Sequence, residues 1–252
     1  MHDRLFFGTF PEHLKKKNFL LTNRNLGSKF QSTDTRLNFY KNLKKQGEDW
    51  YYKHNPVKYS LNNQGYRTKN FEDIDWKESV VIFGCSNVFG SGLTDEDTIS
   101  ERLSQQIGRP VINMGVGGTS ILYSLFNSAI LNEHYPTPKG IIHIWTHYSR
   151  STYFTKRKIN FLGEWNKEKE LFAELWNSNT SNSKSYAWLA KVLSSQIWKD
   201  KTSYYEASFF DDTAELLGCD NFRFKDLARD MSHPGRNTAK SVADIIAKRI
   251  NV

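Results

Sequence analysis

The sequence is short of several things that would classify it at once. It has two cysteines in 252 residues, Cys85 and Cys219, and two thiols cannot form the disulfide framework of a small secreted domain. No apolar run approaches the ~18 residues that a membrane-spanning helix needs. The first residues, Met1-His2-Asp3-Arg4-Leu5-Phe6-Phe7-Gly8, hold no sustained apolar stretch and no small-residue cleavage site, so they do not read as a secretory signal. These absences set the expectation of a reducing, cytoplasmic setting in which Cys85 is a free thiol. Association with a virus particle, which needs no signal, is the alternative. There is no zinc finger, no RNA-recognition signature, no internal repeat and no low-complexity tract. The net charge of +8 is gathered toward the N-terminus, in runs such as Lys15-Lys16-Lys17 and Lys41, Lys44 and Lys45. Without a recognisable module to present them, these runs read as a solvated basic face, and nucleic acid is not an expected partner.

What is present is a core. Hydrophobic residues make up 38% of the chain and aromatics 14%, bulky enough to fill an interior despite the polar average. Residues 1–78 are polar, basic and aromatic-rich with poor helical periodicity. A short helix is expected over Thr35–Leu43, and an extended segment with a turn at Asn63–Gly65 over Tyr59–Arg67. This part reads as an N-terminal extension packed on a main domain over residues 79–252.

At Ser79 the character changes. Ser79–Gly84 is an apolar run ending in glycine, as in a buried parallel strand. A small-residue turn follows, then a helix over Asp97–Gly108 with Ile99, Leu103 and Ile107 four apart and Gly108 as its stop. Pro110–Asn113 is a second strand, Gly115–Ser120 a Gly-rich turn, and Ile121–Asn132 a second helix, broken by Pro136 and Pro138. Gly140–Trp145 is a third strand. Strand, turn and helix in repetition predict a parallel sheet wrapped by helices, a three-layer α/β/α sandwich of about five strands. Residues 151–210 are less regular and read as an insertion. Helices are expected over Glu164–Trp176 and Tyr186–Trp198, with a mobile polar linker at Asn177–Lys184 between them. A fourth strand is expected over Tyr204–Phe210, a fifth over Phe222–Leu227, and a final helix over Asn237–Ile250.

In open parallel sheets ligands bind outside the carboxyl ends of the strands, so the post-strand turns are where chemistry should lie. Ser86 follows the first strand at the start of a turn whose backbone N–H groups favour negative charge. That places a hydroxyl beside part of an oxyanion site; a plain polar turn residue is the bland reading. Asp230-Met231-Ser232-His233-Pro234 precedes the last helix. An Asp and a His three apart can share one side of a turn, the carboxylate holding Nδ1–H and aiming Nε2 at a hydroxyl. Asn113–Gly118 carries glycines that let backbone N–H groups approach a ligand. It lacks the full G-x-G-x-x-G spacing of a dinucleotide loop.

Together these segments resemble the SGNH, or GDSL-like, hydrolase family. Gly84-Cys85-Ser86-Asn87 is similar to the Gly-Asp-Ser-Leu nucleophile motif, with Cys and Asn in place of Asp and Leu. Asn113–Gly118 is similar to the second motif, and Asp230-x-x-His233-Pro234 to the C-terminal one. The spacing around Gly84–Gly90 also resembles uncharacterised members carried by phages and environmental bacteria. The resemblance covers about residues 79–150 and 222–250 and implies a flavodoxin-like SGNH fold. It implies a serine esterase with Ser86, Asp230 and His233 as triad, the amides of Ser86 and Gly118 in the oxyanion hole, and no cofactor or metal. The expected substrate is a small-molecule or carbohydrate ester, an O-acetyl sugar foremost. One departure stands out: the family's third motif, Gly-x-Asn-Asp, is replaced after the third strand by Ile144-Trp145-Thr146-His147-Tyr148-Ser149-Arg150. Thr146 or His147 then takes the position of the missing Asn donor; Arg150 reads by default as a surface arginine, with an anionic substrate group as its functional alternative. A degenerate, non-catalytic glycan-binding or virion-associated module is the competing reading. His143 and His147, four apart on an extended strand, face one side, but two imidazoles without a carboxylate or thiolate make a poor zinc set.

Overall fold

Three apolar runs with β-branched residues become three adjacent strands at one side of a sheet. The computed structural model describes residues 19–20, 29–31, 33–154, 159–163, 165 and 180–252. In chain order its helices and strands are α1 (Arg36–Lys45), α2 (Tyr51–His54), β1 (Val80–Gly84), α3 (Ser86–Phe89), α4 (Ile99–Ile107), β2 (Val111–Gly115), α5 (Ile121–His134), β3 (Gly140–Trp145), β4 (Ser151–Phe154), β5 (Ile159–Leu162), α6 (Thr180–Trp198), β6 (Ser203–Ser208), α7 (Asp211–Leu217), β7 (Asp220–Asn221) and α8 (Arg236–Arg249). The central sheet runs β2-β1-β3-β6-β7 with every neighbouring pair parallel, and β4–β5 is a separate antiparallel hairpin.

Because successive strand residues point to opposite faces, each strand feeds two cores. Val80, Ile82, Ile142 and Ile144 pack with Leu103 of α4 and Val242 and Ile246 of α8. Val81, Phe83, Ile112, Met114 and Ile141 pack with Tyr123, Ile130 and Leu131 of α5 and Trp198 of α6. Each such aliphatic side chain, taken fully out of water, contributes ~1.5–3 kcal/mol. The result is the expected three-layer α/β/α sandwich with five strands, four of them within a residue or two of the expected positions. No helix among the described residues is long and apolar enough to cross a membrane.

Local chemistry sets the helix ends. Thr98 caps α4 by accepting the Glu101 N–H, and Gly108 ends it in the left-handed conformation at φ 65°. Thr35 caps α1 in the same way. The Asp226 carboxylate accepts the N–H groups of Asn237 and Thr238 at 3.0 and 2.8 Å, placing a negative charge at the start of α8.

Three expectations change. The linker at 177–184 is in part helix, because α6 already begins at Thr180. The fifth strand is the two-residue β7 rather than Phe222–Leu227; of that stretch Leu227 makes a single bridge to Pro234. The helix expected over 164–176 lies, except for Trp165, outside the described residues.

The described residues before β1 pack on the rest of the chain. Phe19, Tyr66, Phe71 and Trp76 are buried in the α5 side of the core. The Arg67 guanidinium donates to the carbonyls of Lys58, Phe89, Gly90 and Leu93 and to Asp95, which pins residues 58–67 to the loop that follows α3.

Candidate active site

Gly84 of β1 sits opposite Gly115 of β2 and Ile144 of β3. The three turns that follow therefore leave the sheet at one rim, and they carry Ser86, Gly118 and Thr146 respectively. Ser86 opens α3, where the first N–H groups of a helix have no intrahelical acceptor. Its carbonyl accepts from the amides of Gly90 and Ser91. Its hydroxyl has Cys85 Sγ at 3.9 Å as its hydrogen-bond neighbour among the described residues, a weak contact, and the residue is nearly buried. The Asn113 amide ties this turn to β2: Nδ2 donates to the Val88 carbonyl at 2.9 Å and Ser100 Oγ at 3.0 Å, while Oδ1 accepts the Gly115 N–H.

The Asp230–His233 turn folds as the spacing predicts. His233 Nδ1–H donates to Asp230 Oδ2 at 2.6 Å, and the carboxylate is fully buried while the imidazole keeps 11% of its surface. Asp230 Oδ1 accepts the N–H groups of Ser232 and His233, each at 3.1 Å. Burial pushes the Asp230 carboxyl upward. The His233 bond and charge, then the Thr33 hydroxyl and the Ser232 amide, outweigh burial and hold it below the usual carboxylate value. With Nδ1–H committed to Asp230, a neutral ring presents Nε2 as an acceptor, and no described residue is hydrogen-bonded to it. The turn is closed by Ala228 N–H to the His233 carbonyl and Met231 N–H to the Ala228 carbonyl, both 2.9 Å. Met231 sits at φ 57°, a left-handed conformation that costs a side-chain-bearing residue ~1–2 kcal/mol.

The two loops abut. Arg229 N–H donates to the Gly92 carbonyl at 3.1 Å. Gly92 itself has φ 79°, and a Cβ there would lie 2.8 Å from Ala228 Cβ, 2.9 Å from Arg229 N and 3.1 Å from Asp230 N, so only glycine fits. No hydrogen bond joins Ser86 to His233 among the described residues. Such bonds are often long in the absence of substrate.

The other expected site residues stand on the second and third turns. Gly118 has φ 78°, and a Cβ on it would lie 3.5 Å from Trp165 Cζ2. Thr146 is buried and its Oγ1 accepts Arg150 Nη1 at 2.8 Å. His147 Nδ1 accepts the Ser149 N–H at 3.2 Å, which puts the proton of the neutral ring on Nε2 as a donor. The Arg150 guanidinium lies over the Trp165 ring at 5.0 Å and the Phe210 ring at 5.2 Å, so it is flanked by aromatic faces close to Gly118.

His143 and His147 have separate surroundings. His143 is in the core, stacked on Trp145 at 4.2 Å and Phe83 at 5.0 Å, with Nε2 bonded to Ser194 Oγ. Burial lowers its pKa to about 3 and keeps it neutral. Trp145 is core as well, its Nε1–H donating to Glu206. A cavity of 670 Å³ lies elsewhere, along edge strand β2 between Arg67, Glu101 and Arg109, and Ser86, Asp230 and His233 are not among its lining residues.

Sequence reasoning missed Thr33, Asp34 and Arg229. Thr33 Oγ1 donates to Asp230 Oδ2 at 2.6 Å. Arg229 Nε and Nη2 donate to the two oxygens of the fully buried Asp34 carboxylate at 3.0 and 2.7 Å. The only advance sign was an arginine directly before the Asp-x-x-His motif.

Neither protein-family models nor curated proteins match this sequence. Among solved structures the chain is similar to a carbohydrate acetylesterase family member from Sinorhizobium meliloti, at 12% identity over 68% of this chain and 96% of that one, with a TM-score of 0.41. It is similar to a carbohydrate esterase family 2 enzyme with a carbohydrate-binding domain from Corynascus thermopiles (Myceliophthora fergusii), at 10% identity, 68% and 65% coverage and a TM-score of 0.42. It is also similar to AlinE4, an SGNH-hydrolase family esterase, at 13% identity, 59% and 76% coverage and a TM-score of 0.35. Identities this low do not carry a residue's role from those proteins to this one.

Proposed function

We propose that this chain hydrolyses a carboxylic ester through Ser86, His233 and Asp230. His233 Nε2 takes the Ser86 hydroxyl proton as Oγ attacks the carbonyl carbon. Asp230 keeps the ring in the Nδ1–H tautomer and stabilises the imidazolium that forms. The amides of Ser86 and Gly118 hold the oxyanion, with Thr146 or His147 as the third donor in place of the absent Asn. The imidazolium then gives its proton to the leaving alcohol, and a water activated by the same Nε2 hydrolyses the acyl-enzyme. No cofactor is required. The observation that carries this reading is the His233–Asp230 bond: it leaves an accepting nitrogen open on a loop packed against the turn of Ser86. An acetyl ester on a sugar is the favoured substrate. Trp165 and Phe210 offer aromatic faces for a sugar ring around Arg150, and Arg150 can meet a carboxylate on it.

A second reading, a glycan-binding or virion-associated module without turnover, draws on two observations: the missing third-motif Asn, and Ser86 with no hydrogen bond to His233. Incubation with p-nitrophenyl acetate and a fluorophosphonate probe separates the two. Catalysis predicts probe attached at Ser86 and hydrolysis that falls on the order of 10⁴-fold or more in Ser86→Ala. Equal rates for the wild type and Ser86→Ala, with no labelling, leave the binding module.

A further inference from the structure

We infer that Thr33, in the N-terminal extension, is a positioning residue of this site, its hydroxyl fixing the rotation of the Asp230 carboxylate that holds His233. The inference rests on the triad reading. A carboxylate offers about four acceptor positions, and Asp230 fills four. Two on Oδ1 go to the amides of Ser232 and His233, and one on Oδ2 to His233 Nδ1–H. These three come from within the turn and are open to any Asp-x-x-His loop. The fourth is Thr33 Oγ1–H, reaching Oδ2 at 2.6 Å from 197 residues away. The same hydroxyl oxygen lies 3.4 Å from His233 Nδ1, so Thr33 stands directly beside the Nδ1–H···Oδ2 bond. Thr33 is an exposed residue bonded to a fully buried carboxylate.

The placement is enforced by the neighbouring residues. Asp34 and Arg229 form a bidentate pair directly beside the Thr33–Asp230 contact, so two consecutive residues of the extension meet two consecutive residues of the loop. Tyr59 donates its hydroxyl proton to Asp34 and accepts the Gly92 amide. Arg229 Nη2 also donates to the Lys29 carbonyl, and the guanidinium lies over Phe30 at 4.7 Å and Phe39 at 5.2 Å. Asn38 Nδ2 holds the Thr33 carbonyl at 2.8 Å, and Asn42 Nδ2 holds the Arg229 carbonyl at 3.1 Å. The extension thus brings Thr33 to Asp230 through a frame that does not depend on the Thr33 hydroxyl.

The test compares wild type, Thr33→Val, Thr33→Ser and Ser86→Ala in the full chain. Turnover of p-nitrophenyl acetate is measured together with the low-field proton resonance of His233 Nδ1–H, assigned by its loss in His233→Ala. Thr33→Val should lower kcat about tenfold with KM within about twofold, and should move the resonance. Thr33→Ser should return both to wild-type values. Melting curves confirm that the variants are folded, and Thr33→Ala replaces Thr33→Val if the valine is not accepted. Unchanged kcat and an unmoved resonance in the valine or alanine variant overturn the inference while leaving Ser86-dependent hydrolysis intact. If the wild type has no Ser86-dependent turnover, the esterase reading fails and the resonance alone decides: a shift that serine reverses upholds the Thr33 contact, and no shift overturns it.

Discussion

The base loop and the turn after β3 are held by opposite means. Residues 228–235 are tied to distant parts of the chain: to Gly92 by the Arg229 amide, to Asp34 and Lys29 by the Arg229 guanidinium, and to Thr33 by Asp230. The turn Thr146–Arg150 has hydrogen bonds within itself, Arg150 to Thr146 and to the His147 carbonyl, and Ser149 to His147; among the described residues it meets the rest of the chain through Tyr148 N–H to Thr213 and through ring contacts of Arg150 and His147 with Phe210. The first region is fixed by bonds that no local rearrangement can replace, which suits the proton transfer proposed for His233. The second region is held by short-range bonds and aromatic contacts rather than by a buried ion pair.

Removing the brace should have the largest effect. Arg229→Met leaves the fully buried Asp34 carboxylate without its cation, and breaking a buried pair by losing one partner costs ~3–5 kcal/mol. Urea unfolding should show a lower midpoint with an unchanged slope; a midpoint equal to the wild type would mean that the loop stands without the extension. Next comes the self-bonded turn. The Thr146 hydroxyl oxygen is occupied by Arg150, which leaves its proton for a developing oxyanion. Thr146→Val should lower kcat/KM for an acetyl ester on the order of 10²-fold without shifting the melting temperature. A rate within twofold of wild type would take Thr146 out of the oxyanion hole. The smallest effect is expected at Met231. Asn tolerates the left-handed conformation that methionine holds at φ 57°. Met231→Asn should raise stability by about 0.5 kcal/mol, ~1–2 °C in melting temperature; a decrease would show that the methionine side chain contributes more by packing than its backbone costs.

The same contrast separates what was legible in the sequence from what was not. β1, β2 and β3 announced themselves as apolar runs ended by turns, and Gly108 was readable as a helix stop. The Asp230–His233 bond was legible because both partners lie on one turn. α6 was read too short, since Thr180-Ser181-Asn182-Ser183 favours turns and caps. Tertiary packing overrides that preference: Ser183, Ala187, Ala190 and Ser194 form a buried face of small residues, and α6 packs against α5. Their 4-3-4 spacing was the available signal. β7 was misplaced because two residues have no periodicity and become a strand only by pairing with β6. Thr33, Asp34 and Arg229 were invisible for a related reason, since nothing local marks a partner that lies 195 residues off.

That separation has a consequence for the life of the molecule. A chain made from its N-terminus releases Asp34 long before Arg229, and the central strands and their crossover helices emerge in between. Until Arg229 is made, Asp34 lacks its cation, and α8, which covers one face of the sheet, is later still. The Asp34–Arg229 bridge, and the Thr33–Asp230 contact beside it, can therefore form only after the strands between them have emerged.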